Sequence, residues 1–392
     1  MSNALRNPHG SRLAALILLS IPVALYILVF LTPLASVVSL SLDNSALGTG
    51  FATLRAATED GDADRRAQAL LTDLGAMEQK QLGETARMLN QEKTGFRSLI
   101  LKTGKEADTI APTMDGLVSF DKRWADQEYW GIIDRNIGQI TWRHYQKATG
   151  LKVDANGDLT ISKGDDIYLR VMGRTLLITL QVTILTLLIG YPLAYGVTNG
   201  TRRVSGTILA IVLLSFWTSV LVRTTAWVVL LQTNGLINTL LVGLKLTSEP
   251  VQLIFNRFGT LVAMTHVLLP FAILPMMNVM RTIPKSQSDA SRSLGAGPIE
   301  TFLRVYFPQS LRGVLVGGGT VFILALGFYV TPALTGGPND QMLAYFIADF
   351  VNKTLNWGMA SALSVMLLST VVLLVAAARI GQWMMSNRKG IA

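Results

Sequence analysis

Long stretches without a charged residue constrain this chain more than any other feature. A helix needs about 20 predominantly apolar residues to cross the hydrocarbon core of a membrane. Residues 13–42 contain no charged side chain, and five further runs follow, one of them interrupted only by Arg223: 175–201, 204–244, 258–280, 313–339 and 354–378. The sequence therefore predicts an all-α membrane protein with six transmembrane helices.

The third run is too long for one crossing and too short for two. The polar turn at 232–235 should end the helix, which leaves Leu236–Leu244 as a short apolar stretch at the outer surface. The first run is about twice as long as the apolar region of a cleaved signal peptide. We therefore interpret it as an uncleaved membrane anchor.

The charges are distributed unevenly, and their distribution indicates membrane orientation. The net charge is +9, but residues 42–168 hold 20 of the 25 acidic residues, and the basic excess lies in short loops beside the apolar runs. Short cytoplasmic loops of membrane proteins are enriched in Lys and Arg. This pattern favours a multi-pass membrane protein with both termini cytoplasmic, and it argues against a nucleic-acid partner. A location in the bacterial inner membrane is implied by the family resemblance given below.

The count of basic residues on each side follows from this topology. The predicted outer loops carry Lys245, Arg257 and Lys353. The predicted cytoplasmic segments carry Arg6, Arg12, Arg202, Arg203, Arg281, Lys285, Arg292, Arg304, Arg312, Arg388 and Lys389.

The sequence divides into three predicted domains. Residues 1–42 form the cytoplasmic N-terminus and the first transmembrane helix, residues 43–168 an inserted extracytoplasmic (periplasmic) domain, and residues 169–392 the transmembrane core. In the inserted domain, apolar periodicity predicts helices over 63–90 and 127–149. Alternation around Asn156-Gly157 predicts a hairpin over 151–162. The inserted domain is either a brace or a docking platform for an external partner.

A cytoplasmic segment with both signs of charge, residues 281–312, separates the fourth and fifth predicted spans. Within it, Ala290, Leu294, Phe302 and Val305 recur at helical spacing. Gly295 and the pair Gly297-Pro298 interrupt that helix, because Gly and Pro are the poorest residues for a helix interior. We expect two short helices joined by a bend and lying across the end of the bundle. An ordinary amphipathic helix at the lipid headgroups is the alternative.

Segment 281–312 resembles the "EAA" loop of ABC-importer permeases. That motif reads Glu-Ala-Ala, three residues, Gly, nine residues, Ile, one residue, Leu-Pro, and every spacing fits here. Ala290, Gly295 and Pro308 are identical to the motif. The resemblance implies that the segment is a coupling loop that contacts an ATPase. The residues with this implied role are Asp289, Ala290, Ser291, Leu294, Gly295 and Pro308.

Other stretches resemble the polyamine and opine branch of these permeases, which includes spermidine/putrescine permeases. They include 190–195, 216–227, 234–238 and 330–337. The resemblance implies a MetI-like permease fold and the import of polyamines or a related small polar amine, with opines or other amino-acid-like solutes as the alternative. It also implies four kinds of partner: an ABC ATPase dimer that binds ATP-Mg, a second permease subunit, a periplasmic substrate-binding protein and membrane lipid.

Five residues are candidates for the substrate pathway. Arg223 is the one charge inside a predicted span, and such a charge is expensive and therefore a functional hypothesis. It either lines the pathway or holds a partner subunit. The aromatic residues Trp217, Trp227 and Tyr329 either attract ammonium groups or belong to the interfacial aromatic belt. Asp340 is either a cation-attracting group or a solvated loop acid.

Several function classes are disfavoured. The chain has no cysteine, its three histidines stand far apart, and it has no Walker A pattern. We therefore predict no catalytic residue, no metal site and no cofactor in this chain, with ATP hydrolysis left to a separate subunit. A transmembrane chemosensor that uses residues 43–168 as its ligand domain is the alternative from a different class, but that domain is followed by a second span and then by four more. A secondary transporter would more typically show intramembrane acids and repeats.

Overall fold

The computed structural model describes residues 18–58, 61–90, 92–153, 159–161 and 166–389. Helix α1 spans Leu18–Leu42 and contains a π-helical turn at Ile27–Leu31. The helices that follow are α2 (Ser45–Gly50), α3 (Ala52–Thr58), α4 (Ala63–Ala76), α5 (Gln79–Asn90), α6 (Phe96–Lys105), α7 (Met114–Phe120), α8 (Gln127–Asn136) and α9 (Arg143–Thr149). Short 3-10 turns occupy Ala107–Thr109 and Lys122–Ala125.

A small hairpin and the remaining helices complete the chain. Strand β1 (Leu151–Val153) pairs antiparallel with β2 (Leu159–Ile161), with Lys152 opposite Thr160. The helices are α10 (Ile167–Asn199), α11 (Arg202–Trp217), α12 (Val220–Leu231), α13 (Leu236–Gly243), α14 (Arg257–Met280), α15 (Lys285–Ser293), α16 (Pro298–Thr301), α17 (Phe307–Leu326), α18 (Val330–Thr335), α19 (Leu343–Asn352) and α20 (Trp357–Lys389). A π-helical turn, Phe302–Tyr306, joins α16 to α17.

Contacts between residues group the chain into two compact units. The first extends to Lys147 and includes Trp357–Ala362; the second comprises Ala148–Asn356 and the chain from Leu363 onwards. The predicted domain boundaries, at residues 42–43 and 168–169, were drawn from the side of the membrane on which each segment should lie. They stay a prediction.

The first unit has a hydrophobic core of its own. Helices α4 and α5 present Leu70, Leu74, Leu82 and Leu89 to this core, at the spacing of one helical face. Trp124 is 1% exposed, and its indole N–H donates to the Thr103 hydroxyl at 3.1 Å. Residues 43–147 therefore bury enough apolar surface for a separately packed body.

Two predicted helices of this unit are each broken into two. The prediction over 63–90 fails at Met77, whose backbone is extended just after Gly75 has weakened the helix. The prediction over 127–149 fails between α8 and α9. There the side-chain amide of Asn44 donates to the carbonyls of Asn136 and Gly138, which therefore do not continue the helical hydrogen-bond pattern. The predicted hairpin strands are present, and the Asn156-Gly157 turn lies outside the described residues.

The second unit is built around three long helices, α10, α14 and α17. Small residues let their backbones approach closely, as is common between membrane helices. A Cβ atom added at Gly317 would lie 2.8 Å from the Ala272 carbonyl oxygen, and one at Gly313 would lie 3.2 Å from the Met276 carbonyl oxygen. Both contacts join α17 to α14, so these glycines set the distance between the two helices.

The number of spans agrees with the prediction, and the boundaries differ. Six helical stretches of the described chain are long and apolar enough to cross a membrane: Leu18–Leu42, Ile167–Asn199, Val220–Gly243, Arg257–Met280, Pro298–Leu326 and Trp357–Gly381. The prediction of a six-span helical membrane protein is confirmed. The small hairpin adds two short β-strands to it.

The third predicted span is the main difference. It is not continuous from residue 204, because Thr218 and Ser219 adopt extended backbone conformations between α11 and α12. The Thr218 hydroxyl donates to the Leu214 carbonyl, and such local hydrogen bonds compete with helix continuation. The short apolar helix α19 was not predicted from the sequence.

Replacement of Trp124 by alanine tests the core of the first unit. We expect Trp124→Ala to destabilise it by about 3–5 kcal/mol, because a large buried ring is lost and its hydrogen-bond partner Thr103 is left unpaired. Trp142, 63% exposed, provides the matched control, and Trp142→Ala should change stability by less than about 1 kcal/mol. Thermal unfolding of the full chain, monitored by proteolytic cleavage within residues 43–147, measures the stability of both variants. Equal effects of the two substitutions would contradict the assignment of the core.

Candidate functional site

Segment 281–312 folds as two short helices joined by a sharp bend, as its glycines predict. Helix α15 ends in a Schellman motif, in which the N–H of Ala296 donates to the Ser291 carbonyl at 3.1 Å and that of Gly295 to the Arg292 carbonyl at 2.9 Å. Gly295 has a φ of +94°, which L-residues with a side chain rarely adopt. This position therefore requires glycine for the backbone conformation itself.

The second short helix begins where proline is best tolerated. Pro298 occupies the start of α16, where its missing N–H removes no helical hydrogen bond. The hydroxyls of Ser291 and Thr301 lie 3.2 Å apart and connect α15 to α16. The bend is thus fixed by both backbone and side-chain hydrogen bonds.

The outer face of the segment is apolar and unusually exposed. Leu294 is 89% exposed and Ile299 is 75% exposed. Asp289 and Ala290 are exposed beside them. Contiguous exposed apolar residues with a polar rim are typical of a contact surface for another protein. The predicted coupling residues Asp289, Ala290, Leu294 and Gly295 therefore lie on one short, exposed stretch of chain.

The remaining two predicted coupling residues lie deeper or farther along the chain. Ser291 is partly buried through its contact with Thr301, and Pro308 lies in the first turn of α17. Their surroundings indicate structural roles, Ser291 in the bend and Pro308 at the start of the helix.

An aromatic cluster attaches the segment to the end of α10. Tyr195 contacts the rings of Phe302 and Tyr306 edge-on, with centroids 5.5 and 5.2 Å apart, and Asn199 donates to the Tyr306 hydroxyl at 2.7 Å. A polar cavity of about 220 Å³ lies between these residues and α15, with Lys285 and Asp289 in its wall. This cluster was not predicted from the sequence. Its only sequence signal is the recurrence of aromatic residues at 191, 195, 302, 306 and 307.

Arg223 is buried in the bundle and only partly satisfied. It is 6% exposed, and its Nη1 donates to the Val267 carbonyl at 3.0 Å. Its Nε has no hydrogen-bond partner among the described residues. One helical turn along, the Trp227 indole N–H donates to Nδ1 of His266 at 3.1 Å. The structure therefore brings Arg223, Trp227 and His266 to the contact between α12 and α14.

The other aromatic candidates are on the surface. Trp217 is 83% exposed at the end of α11, and Tyr329 is also exposed. Within the described residues, neither has a side-chain hydrogen bond or a ring contact. The structure therefore does not gather the three candidate aromatic residues into one wall.

Asp340 is neither solvated nor free, which overturns the interpretation of this residue as an ordinary loop acid. Its Oδ1 accepts from Nε of Arg257 at 2.6 Å, and its Oδ2 accepts from the Gly337 N–H at 3.2 Å. Arg257 also donates to the Gln181 side chain at 3.3 Å. The carboxylate is buried, and its ion pair with Arg257 compensates its negative charge within the chain. Arg257 and Gln181 were not recognised from the sequence, because they lie 83 and 159 positions before Asp340.

The described residues contain no group of three His, Cys, Asp or Glu side chains that could hold a metal ion.

Removal of the Asp340 carboxylate tests its structural role. We expect Asp340→Asn to destabilise the second unit by about 2 kcal/mol, below the 3–5 typical of a fully buried pair because Arg257 remains partly exposed. Asp349 is the matched control. It forms a more exposed pair with Lys353 and raises the pKa of that lysine through a hydrogen bond, so Asp349→Asn should destabilise the protein less than Asp340→Asn does. The thermal midpoint of the purified protein in detergent measures both, and an equal or larger loss for Asp349→Asn would refute the argument.

Comparison with known proteins places this architecture among transport proteins. Residues 177–386, just over half of the chain, match the family model described as "Binding-protein-dependent transport system inner membrane component". The match begins after residues 43–168, which it leaves outside.

Curated relatives share the same region. The chain is 29% identical over 209 residues to the spermidine/putrescine transport system permease protein PotB of Haemophilus influenzae, covering 53% of this chain and 73% of the relative. It is 27% identical over 213 residues to PotB of Escherichia coli, covering 54% and 78%. It is 30% identical over 192 residues to the inner membrane ABC transporter permease protein YdcU of E. coli, covering 45% and 59%.

Similar solved structures include the MetNI methionine ABC transporter, with a TM-score of 0.41 and 19% identity over 53% of this chain and 91% of that chain. A bacterial ABC transporter involved in the import of alginate matches with a TM-score of 0.44 and 16% identity, over 56% of this chain and 79% of that chain.

Proposed function

Since this chain belongs to the family of binding-protein-dependent transport system inner membrane components, we propose that it is the permease subunit of an ABC importer for polyamines. Two of the relatives named above are spermidine/putrescine permeases, and their names support spermidine and putrescine as substrates. The chain would form half of the translocation pathway, and a second permease subunit the other half.

A separate ATPase dimer would bind ATP-Mg and supply the energy. The observation that carries this proposal is the exposed surface of segment 281–312, where the apolar side chains of Leu294 and Ile299 are 89% and 75% exposed. Burial of apolar side chains is worth about 1.5–3 kcal/mol each, so a docked ATPase would gain substantially from this face. The rigid bend at Gly295 holds the face in one shape for docking.

The membrane orientation follows from the charges. Segment 281–312 would face the cytoplasm together with both termini, because most of the basic loop residues lie on that side. Residues 43–168 would then lie in the periplasm. Their separate hydrophobic core supports a role as a platform for a periplasmic substrate-binding protein, and a brace for the bundle is the simpler alternative.

One observation favours a second candidate substrate class, namely opines or other carboxylated solutes. Arg223 is buried with an unsatisfied Nε, and an arginine in such a site binds a carboxylate readily. It would repel a polyamine that came into direct contact with it. For a polyamine importer we therefore assign Arg223 to packing between helices. Asp340 is not assigned to cation binding, since Arg257 already neutralises it.

Replacement of Gly295 tests the coupling role. We expect Gly295→Trp to leave membrane insertion intact, because a Cβ atom there meets no atom within 4 Å. It should nevertheless abolish most uptake, because the backbone strains by about 1–2 kcal/mol and a bulky ring stands on the docking face. The measurement is uptake of labelled spermidine by cells that carry the complete transporter, together with ATP hydrolysis in lipid.

Gly206→Trp is the matched control, since this glycine in α11 also has open space around its Cβ position; it should keep uptake. Wild-type uptake by Gly295→Trp at equal expression would refute the coupling role.

Competition for uptake tests the substrate class: unlabelled putrescine should suppress uptake of labelled spermidine. Competition by opines alone, with loss of opine uptake in Arg223→Gln, would favour the second candidate.

A further inference from the structure

An apolar groove opens on the second unit between α10, α17 and α20. It has a volume of about 360 Å³, and Gly318 and Gly319 form part of its lining together with Leu187, Phe322 and Val371. None of its lining residues is charged. A Cβ atom added at Gly319 would meet no atom within 4 Å, so the space above this glycine is open.

The dimensions of the groove match one leaflet of a membrane. Along α17 its lining extends from Val314 to Ile323, which corresponds to about 14 Å of helix. Half of a hydrocarbon core about 30 Å thick is about 15 Å. Val314 lies seven residues after Phe307, so the lining begins about 10 Å beyond the start of α17.

Two arginines each lie about one helical turn beyond the groove lining on their own helix. Arg312 lies three residues before Leu315 on α17, and Arg379 lies four residues after Val375 on α20; both apolar residues line the groove. Residues three or four apart share one face of a helix, so each arginine extends a lining face by one turn. Both side chains are exposed, and neither forms an ion pair among the described residues.

We propose that this groove binds an anionic phospholipid. One acyl chain lies over Gly318 and Gly319, and the phosphate group lies near Arg312 and Arg379. Basic residues at a membrane surface attract anionic lipids, and the apolar lining accepts the chain. The proposal is independent of the substrate and of the membrane orientation.

Photolabelling of the full-length protein tests this site. The protein is placed in vesicles of phosphatidylglycerol and phosphatidylcholine (1:4), and one of the two lipids carries a diazirine in its acyl chain. We expect phosphatidylglycerol to label peptides of α17 and α20 in preference to phosphatidylcholine. Each of Arg312→Gln and Arg379→Gln should lower labelling by phosphatidylglycerol about fivefold and leave labelling by phosphatidylcholine unchanged. Gly319→Leu should lower labelling by both lipids, because its side chain occupies the open space.

The controls are Arg202→Gln and Gly206→Leu, which change an exposed arginine and an open glycine of α11, and both should label as the wild type does. Equal labelling by the two lipids, unaffected by the arginine substitutions, would overturn the proposal in favour of a non-selective lipid surface. Absence of label from the groove peptides would overturn it in favour of a protein segment. If Gly319→Leu does not fold, the wild-type preference and the arginine variants still decide between these outcomes.

Discussion

The close approach of α14 and α17 is the contact on which the second unit depends. A Cβ atom at Gly317 would overlap the Ala272 carbonyl oxygen and the Met276 side chain, and one at Gly313 would be in tight contact with the Met276 backbone and Val279. In a membrane, helices gain little from hydrophobic association and rely on such close packing. Gly190 extends the same arrangement to α10, since its Cβ position lies 3.2 Å from Met276. Three spans therefore form one tightly packed block.

This block makes segment 281–312 a continuation of the bundle. The segment runs through the π-helical turn directly into α17, while Tyr195 and Asn199 connect it to the end of α10. Packed cores shift between discrete arrangements and do not deform continuously. A displacement of the exposed face around Leu294 would therefore move α10, α14 and α17 together. This is the physical basis of the proposed energy coupling through the segment.

Local chemistry explains which features were predictable from the sequence. The bend at Gly295 was predicted, because glycine and proline act on the backbone at their own positions. The ion pair of Asp340 with Arg257 was not, because it depends on residues far apart in the chain. The helix break before α9 was missed for the same reason: Asn44 holds the carbonyls of Asn136 and Gly138 from a distance of about 90 positions. Periodicity located the apolar faces, and distant contacts decided where the helices end.

The membrane side of segment 281–312 is the most direct test of this account, since an ATPase reaches the segment only from the cytoplasm. The chain has no cysteine, so Ser286→Cys and Thr94→Cys each introduce a single thiol at an exposed position. A membrane-impermeant maleimide that reaches the periplasm of intact cells should label Thr94→Cys and should label Ser286→Cys only after the inner membrane is disrupted. Labelling of Ser286→Cys but not Thr94→Cys in intact cells would contradict the account.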